Sequence, residues 1–340
     1  MYMKRKNMKT ILPLLMYLLT GGVMISSSDA IGSEQKIRSL FDIKYAFCSI
    51  KTNGVLGMDN RKSAYAGRGG GSSSTNAMMF LENGENEISL EIGALGWFSR
   101  ENISDQERSH FNTQSGCKVD LVRTDKQSQV NLASINVIIN KDGIPEVNSN
   151  DKSSIIRKKV LAEQAIPGHI EPKFYWEKYY PPQMMVYQFT KKINISGIPE
   201  WQWIHATQFN GSDEQMQKLR AAYIKMADVI NNRDREKLKK ISQIALKAWS
   251  TTTGDSEDDI LLSLYPKDKL EGGIAKIDPI KWDNYEVRVM NNGRMVQLYN
   301  KSEPRYSPLT YHYVNKKGNN AINYFAPIFS LINGEFVPVI

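Results

Sequence analysis

Alternating apolar and polar positions dominate residues 41–147. Residues 87–92 place Ile and Leu at every second position between Glu and Ser, which is the period of a half-buried strand. Asn83 and Gly84 separate this run from residues 78–81, and the pair predicts a hairpin because both residue types tolerate positive φ. No amphipathic helix pattern appears in this region. The sequence therefore predicts an antiparallel β-sandwich.

A glycine- and serine-rich stretch, residues 67–75, interrupts the β pattern. It lacks the Gly-Lys-Ser/Thr ending of a phosphate-binding loop, and no helix pattern follows it. We therefore predict that these residues form a flexible surface loop, as Gly/Ser-rich segments usually do.

Charged and proline-bearing residues follow at 148–182 and predict a crossover between two domains. Its aromatic cluster at 174–180 favours packing against a domain, because large aromatic side chains gain most by burying their area. A β pattern returns at 186–209. Trp201 and Trp203 lie two positions apart, so on a strand they share one face. We predict that both are buried, with a sugar-stacking platform as the alternative.

Three helices are predicted next, each beginning at a residue whose side chain can cap the first turn. Apolar residues then recur every three or four positions. The first helix is capped by Ser212 and its apolar pattern ends at Ile230. The second runs from the cap Asp234 to Trp249, and the third from the cap Ser256 to Leu264. Strand patterns around turns at 291–293, 317–318 and 333–334 then predict three hairpins. Helices followed by hairpins indicate an α+β domain.

The predicted fold class is therefore mixed, with an antiparallel β-sandwich-like domain followed by an α+β domain of helices and an antiparallel meander. The boundaries are a β-rich domain at 31–147, a crossover at 148–182 and an α+β domain at 183–340. A chain of this length is comfortable for two domains.

The N-terminus has the three parts of a signal peptide. Four basic residues lie between Lys4 and Lys9, an apolar run covers 11–25, and Ser28 and Ala30 are small residues before a cleavage position. The apolar run is about 15 residues, short of the roughly 20 that span a bilayer, which disfavours an uncleaved anchor. We predict export to the bacterial periplasm, cleavage after Ala30 and no stable membrane span in the mature chain.

Charge and cysteine content narrow the functional classes. The chain carries a formal +8, or about +5 once the net +3 of residues 1–30 is removed. Basic residues do not cluster with aromatics, so we expect no nucleic-acid partner. Cys48 and Cys117 are the only cysteines, and an oxidising compartment favours one disulfide between them. A catalytic thiol is the alternative, but no partner base is visible in the sequence.

Motifs that carry chemistry do not appear. The four histidines, His110, His169, His205 and His312, form no metal-ligand pattern, and there is no nucleophile elbow or dinucleotide-binding glycine motif. We therefore assign no catalytic residue, cofactor or metal, and we expect that the protein is not an enzyme. A triad assembled from distant residues is the alternative.

Three segments carry a resemblance to a known group of proteins: residues 80–88, residues 198–203 and residues 324–332. Together with the signal peptide, they resemble the periplasmic immunity proteins paired with phospholipase toxins of the type VI secretion system. The resemblance covers most of the mature chain. It implies a protein that binds a cognate lipase-type toxin and inhibits it sterically, through interface residues that no fixed motif identifies.

Two functions from other classes stay open beside this one. The first is a periplasmic or secreted carbohydrate-binding protein, for which Trp201 and Trp203 would form the platform. The second is an unrecognised hydrolase with dispersed catalytic residues. Exposed, coplanar tryptophans would favour the first, and a cleft that holds His beside Ser and Asp would favour the second.

Overall fold

The computed structural model describes residues 35–148, 154–162, 180–181, 183–272, 274–302 and 306–340. These residues belong to one compact unit, Ser33–Ile340. The predicted signal peptide, its cleavage position after Ala30, His169 and most of the aromatic cluster at 174–180 lie outside the described residues.

Two five-stranded antiparallel sheets share one core in the first part of the described chain. The strands are β1 (Lys36–Lys44), β2 (Ala46–Thr52), β3 (Val55–Asp59), β4 (Gly71–Asn76), β5 (Gly84–Ala94), β6 (Gly116–Thr124), β7 (Gln129–Ile139), β8 (Pro145–Val147), β9 (Ile155–Leu161) and β10 (Met185–Ile195). Two short helices, α1 (Arg61–Tyr65) and α2 (Asp105–Arg108), lie between them. The strand orders are β4-β1-β6-β7-β8 and β3-β2-β5-β10-β9. The predicted sandwich is confirmed.

The glycine- and serine-rich stretch is not a loop throughout. Its second half forms the edge strand β4, which pairs with β1 along residues 71–76. Arg38 Nε donates to Ser74 Oγ at 2.8 Å, and Ser72 Oγ donates to Asp42 Oδ1 at 2.5 Å. An edge strand pairs on one side only, so hydroxyl side chains and backbone hydrogen bonds suffice here without an apolar face.

The hairpin predicted at Asn83-Gly84 is wrong. Residues 78–80 form a buried single turn of 3-10 helix, and β5 pairs with β2 and β10 instead. The Asn83 side-chain amide donates to the Ile198 carbonyl at 2.8 Å and accepts from the Ile198 backbone N–H at 2.9 Å. The Asn83 side chain therefore links the start of β5 to a distant segment.

Strands β9 and β10 extend the second sheet, although their residues fall in the predicted crossover and in the predicted second domain. β10 pairs with β5 on one side and with β9 on the other. Phe189 of β10 is fully buried in the sandwich core. The α+β part therefore begins after β10, because the sandwich needs this strand to close its core.

The second part of the described chain packs helices on a four-stranded antiparallel sheet of order β11-β12-β15-β16. The helices are α3 (Asp213–Asn231), α4 (Arg235–Ile241), α5 (Gln243–Thr253), α6 (Glu257–Leu264) and α7 (Lys267–Leu270). The strands are β11 (Tyr285–Met290), β12 (Met295–Asn300), β15 (Phe329–Ile332) and β16 (Glu335–Pro338), and a separate two-stranded ribbon joins β13 (Leu309–Val314) to β14 (Asn320–Phe325). The predicted order of helices and then hairpins is confirmed.

The three predicted helix caps are confirmed by their hydrogen bonds. Ser212, Asp234 and Ser256 accept from backbone amides at 3.4, 2.9 and 3.2 Å. The second predicted helix divides into α4 and α5 at Ser242, whose backbone is not helical. Within the described residues, none of the helices combines the length and the apolar content that a membrane crossing requires.

Candidate partner-binding surface

The ribbon of β13 and β14 presents one side to solvent. His312 lies opposite Ile322 and Val314 lies opposite Asn320 in the register. Residues directly opposite each other in an antiparallel pair project to the same side of the sheet. These side chains therefore lie together, with Val314 63% exposed and Ile322 37% exposed.

The other side of the ribbon anchors it to the protein. Tyr311 and Phe325 stack there with ring centroids 5.4 Å apart, and Tyr265 lies 4.9 Å from Phe325. Lys269 of α7 places its ammonium 4.5 Å above the Tyr313 ring. The core thus holds the aromatic side. On the outward side Tyr306 packs against Tyr324, whereas His312, Val314 and Ile322 nearer the turn stay exposed.

Polar contacts fix the edges of this outward side. His312 Nδ1 lies 2.7 Å from Asp278 Oδ2, which orients the imidazole. The backbone amide of Asp278 also donates to the Thr310 carbonyl at 2.9 Å, so this segment covers part of the β13 edge. In the part of the chain that the structure describes, β14 pairs with β13 alone.

The turn between β13 and β14 adds positive charge. The Asn315 side chain accepts from the amides of Lys317 and Asn319 at 2.9 and 3.1 Å, which holds the turn. Lys316 and Lys317 are exposed at this tip. We name the outward residues of the ribbon and its tip the ribbon surface: His312, Val314, Lys316, Lys317 and Ile322.

The two tryptophans are buried, as predicted. Trp201 is 6% exposed and Trp203 is 1% exposed. Their indole Nε1–H groups donate to the carbonyls of Met78 and Met79 at 3.1 and 3.0 Å. They lie around a 3-10 turn at residues 202–205 and not on the expected strand. Neither ring offers a face on which a sugar could stack.

The segments that carry the sequence resemblance meet in the structure. The 3-10 turn at 202–205 connects to residues 78–83 through the tryptophans, and Arg294 forms an ion pair with Glu82 while its guanidinium lies 5.0 Å from the Trp203 ring. Next to this turn, Thr207 bridges to Leu331 of β15. Residues of the three segments and their neighbours therefore build one junction between the sandwich and the α+β part.

Cys48 and Cys117 lie on facing sheets, and both are free and buried in the structure. Burial raises the pKa of the Cys48 thiol well above its ordinary value, and a hydrogen bond with the Cys117 side chain adds to the increase. A raised pKa disfavours the reactive thiolate, so the geometry argues against a catalytic thiol. The two thiols are hydrogen-bonded, so a disulfide between them would need no large movement of the sheets. The disulfide stays a prediction.

The histidines in the described part of the chain do not lie in a cleft with a serine. His205 pairs with Glu200 at 2.7 Å with both side chains exposed, and His110 is exposed on the sandwich. Ser49 does lie beside a carboxylate, that of Glu91, but both side chains are fully buried. Among the described residues, no group of three or more His, Cys, Asp or Glu side chains can hold a metal ion.

Comparisons with known proteins add no relative: no family model, no curated protein and no solved structure matches this chain.

Proposed function

We propose that the mature protein is a periplasmic immunity protein that binds a lipase-type toxin and inhibits it sterically. The observation that carries the proposal is the ribbon surface, where Val314 and Ile322 remain exposed on a pair of strands anchored by its other side. An inhibitor of this kind needs no catalytic group of its own. It needs a stable surface with a few apolar anchors that fit the partner.

The chemistry of the ribbon surface suits recognition of a protein. Apolar side chains at its centre gain by desolvation on binding, and the exposed lysines at the tip attract an acidic partner and speed association. The unpaired edge of β14 also offers backbone groups to which a partner strand can add. The ribbon thereby offers apolar contacts, a positive charge that attracts the partner, and an edge that can align a partner strand.

Other observations support this function. The predicted signal peptide places the protein where a periplasmic toxin acts, and the resemblance of three segments points to the immunity group. The burial of Trp201 and Trp203 supports it over carbohydrate binding, because a sugar-stacking platform would need exposed rings.

The test measures binding between the mature protein and the product of the neighbouring gene, the first candidate for the toxin. Val314→Asp and Ile322→Asp place a charge at the centre of the ribbon surface. We expect each to weaken binding by about 2 kcal/mol, or roughly 30-fold in Kd. Val130→Asp is the matched control, because Val130 is 49% exposed on β7 of the sandwich. It should bind as the unaltered protein does.

Circular dichroism must first show that all three variants keep the fold. Unchanged binding by both ribbon variants would show that the ribbon surface is not the contact. Failure of the unaltered protein to bind or inhibit the toxin would contradict the immunity function itself.

A further inference from the structure

A second feature of the α+β part lies apart from the ribbon surface. Helices α3, α4 and α5 and strands β15 and β16 enclose an open pocket of about 530 Å³. This size lies in the range of pockets that hold small ligands. The pocket does not share a lining residue with the ribbon surface, so its role needs a separate explanation.

The floor and walls of this pocket are apolar. Met226 of α3, Phe329 of β15 and Phe336 of β16 are buried at its base. Half-buried aliphatic side chains, Ile241 of α4 and Ile244 of α5, complete the walls. Such a lining gains free energy when a hydrocarbon chain displaces water from it.

The rim of the pocket is basic. Its exposed ammonium groups belong to Lys225, Lys237 and Lys240. Among the described residues, none of these three lysines forms an ion pair. Other lysines of the same helices do: Lys218 pairs with Glu214 at 2.8 Å, and Lys239 pairs with Asp258 at 2.6 Å. Three cations therefore surround an apolar pocket without a described anion to balance them.

We propose that this pocket binds a medium-chain fatty acid. Its carboxylate would lie among the three rim lysines, and its hydrocarbon chain would lie against the half-buried Ile241, Ile244 and Val337, above the buried floor. A small inorganic anion would leave these aliphatic side chains in contact with water, and a neutral hydrocarbon would leave the lysines unpaired. A ligand with one anionic head and one apolar tail matches both halves of the pocket. The inference does not depend on the proposed function, although fatty acids are what a lipase releases.

The experiment is isothermal titration of the mature protein with octanoate, decanoate and laurate below their micelle concentrations. Affinity should increase about fourfold for each methylene added, because each extra methylene is buried against the apolar walls. Dodecyltrimethylammonium, which carries the opposite charge on the laurate-length chain, should bind at least tenfold more weakly than laurate.

Two sets of variants test the two halves of the site. Combined Lys225→Met, Lys237→Met and Lys240→Met substitutions keep the aliphatic stems and remove the charges, so laurate affinity should fall at least tenfold. Lys218→Met together with Lys239→Met is the matched control and should leave laurate affinity unchanged. Ala222→Trp fills the pocket from α3 and should abolish binding.

Several results would overturn the proposal. They are the absence of laurate binding, equal affinity for octanoate and laurate, and full laurate affinity in the triple lysine variant. Since the lysines are exposed, their replacement should not unfold the protein, and circular dichroism of the triple variant checks this.

Discussion

A buried ion pair in the second sheet gives the sharpest test of the packing described above. Glu91 of β5 is 0% exposed, and its Oε1 lies 2.9 Å from Lys51 Nζ and 3.0 Å from Gln188 Nε2. Ser49 donates to its second oxygen. Lys51→Met keeps the shape of the side chain and removes its charge, which leaves the buried Glu91 carboxylate with the neutral Ser49 and Gln188 side chains.

We expect Lys51→Met to lower the free energy of unfolding strongly, because Glu91 is fully buried. Removal of one member of a buried pair costs about 3–5 kcal/mol, since the remaining charge loses its compensation without regaining water. Glu91→Gln in the Lys51→Met background removes the second charge and keeps an amide that can bond to its neutral neighbours. We therefore expect the double variant to be more stable than Lys51→Met alone, with a net cost of about 1–2 kcal/mol.

The assay is urea unfolding followed by far-ultraviolet circular dichroism. Lys218→Met is the control, because it breaks a solvent-screened pair with Glu214 that should contribute little to stability. A loss below about 1 kcal/mol in Lys51→Met would refute the account of a buried, compensated carboxylate. A double variant as unstable as the sum of the two single variants would refute the coupling.

Three further predictions concern the thiols, export and alkaline stability. Thiol labelling of the exported protein after non-reducing denaturation should modify neither Cys48 nor Cys117; two labelled thiols would show that the disulfide is absent. N-terminal sequencing of periplasmic material should begin at Ile31, and recovery of an intact Met1 terminus would contradict cleavage. Burial raises the pKa of Tyr265 to about 12 in the folded protein, compared with about 10 in the unfolded chain. The neutral Tyr265 side chain therefore stabilises the fold fully below pH 10, and this contribution is lost as the pH rises toward 12. Between pH 9 and 11 the unfolding free energy of Tyr265→Phe should fall by about 1.4 kcal/mol less than that of the unaltered protein, and equal losses would oppose this assignment.

Local signals in the sequence predicted local structure well. The helix caps at Ser212, Asp234 and Ser256 follow from side chains that bond to amides three residues away, and such bonds depend little on the rest of the fold. The hairpins of the α+β part follow from turn residues in the same way. The observed sheet at β11–β12 and the ribbon at β13–β14 confirm them.

Pairings between distant segments could not be predicted in the same way. The strand at 71–76 exists because β1 offers an edge, and β5 forms no hairpin at Asn83-Gly84 because it pairs with β2 and β10. Ser49 and Lys51 alternate with Cys48 and Ile50, and yet all four are buried. The structure covers the Ser49 and Lys51 side of the sheet, where the Tyr180 ring lies 5.6 Å from the Phe47 ring.

The candidate sites also divide into local features that the sequence predicted and long-range contacts that it did not. The ribbon was predicted as a hairpin, but its exposed side depends on which face the aromatic residues of the core occupy. The lysine-rimmed pocket combines three helices with the last hairpin, and no spacing in the sequence signals that meeting. The burial of Trp201 and Trp203 was predicted correctly because large aromatic side chains usually serve cores.

The central claim is inhibition by binding, and titration of the toxin's lipase activity tests it most directly. The purified toxin that binds the protein is held at a fixed concentration well above its Kd, and mature protein beginning at Ile31 is added in steps. Steric inhibition predicts a linear fall in activity that ends at one equivalent, with no dependence on incubation time. Full lipase activity in the presence of several equivalents would contradict the account.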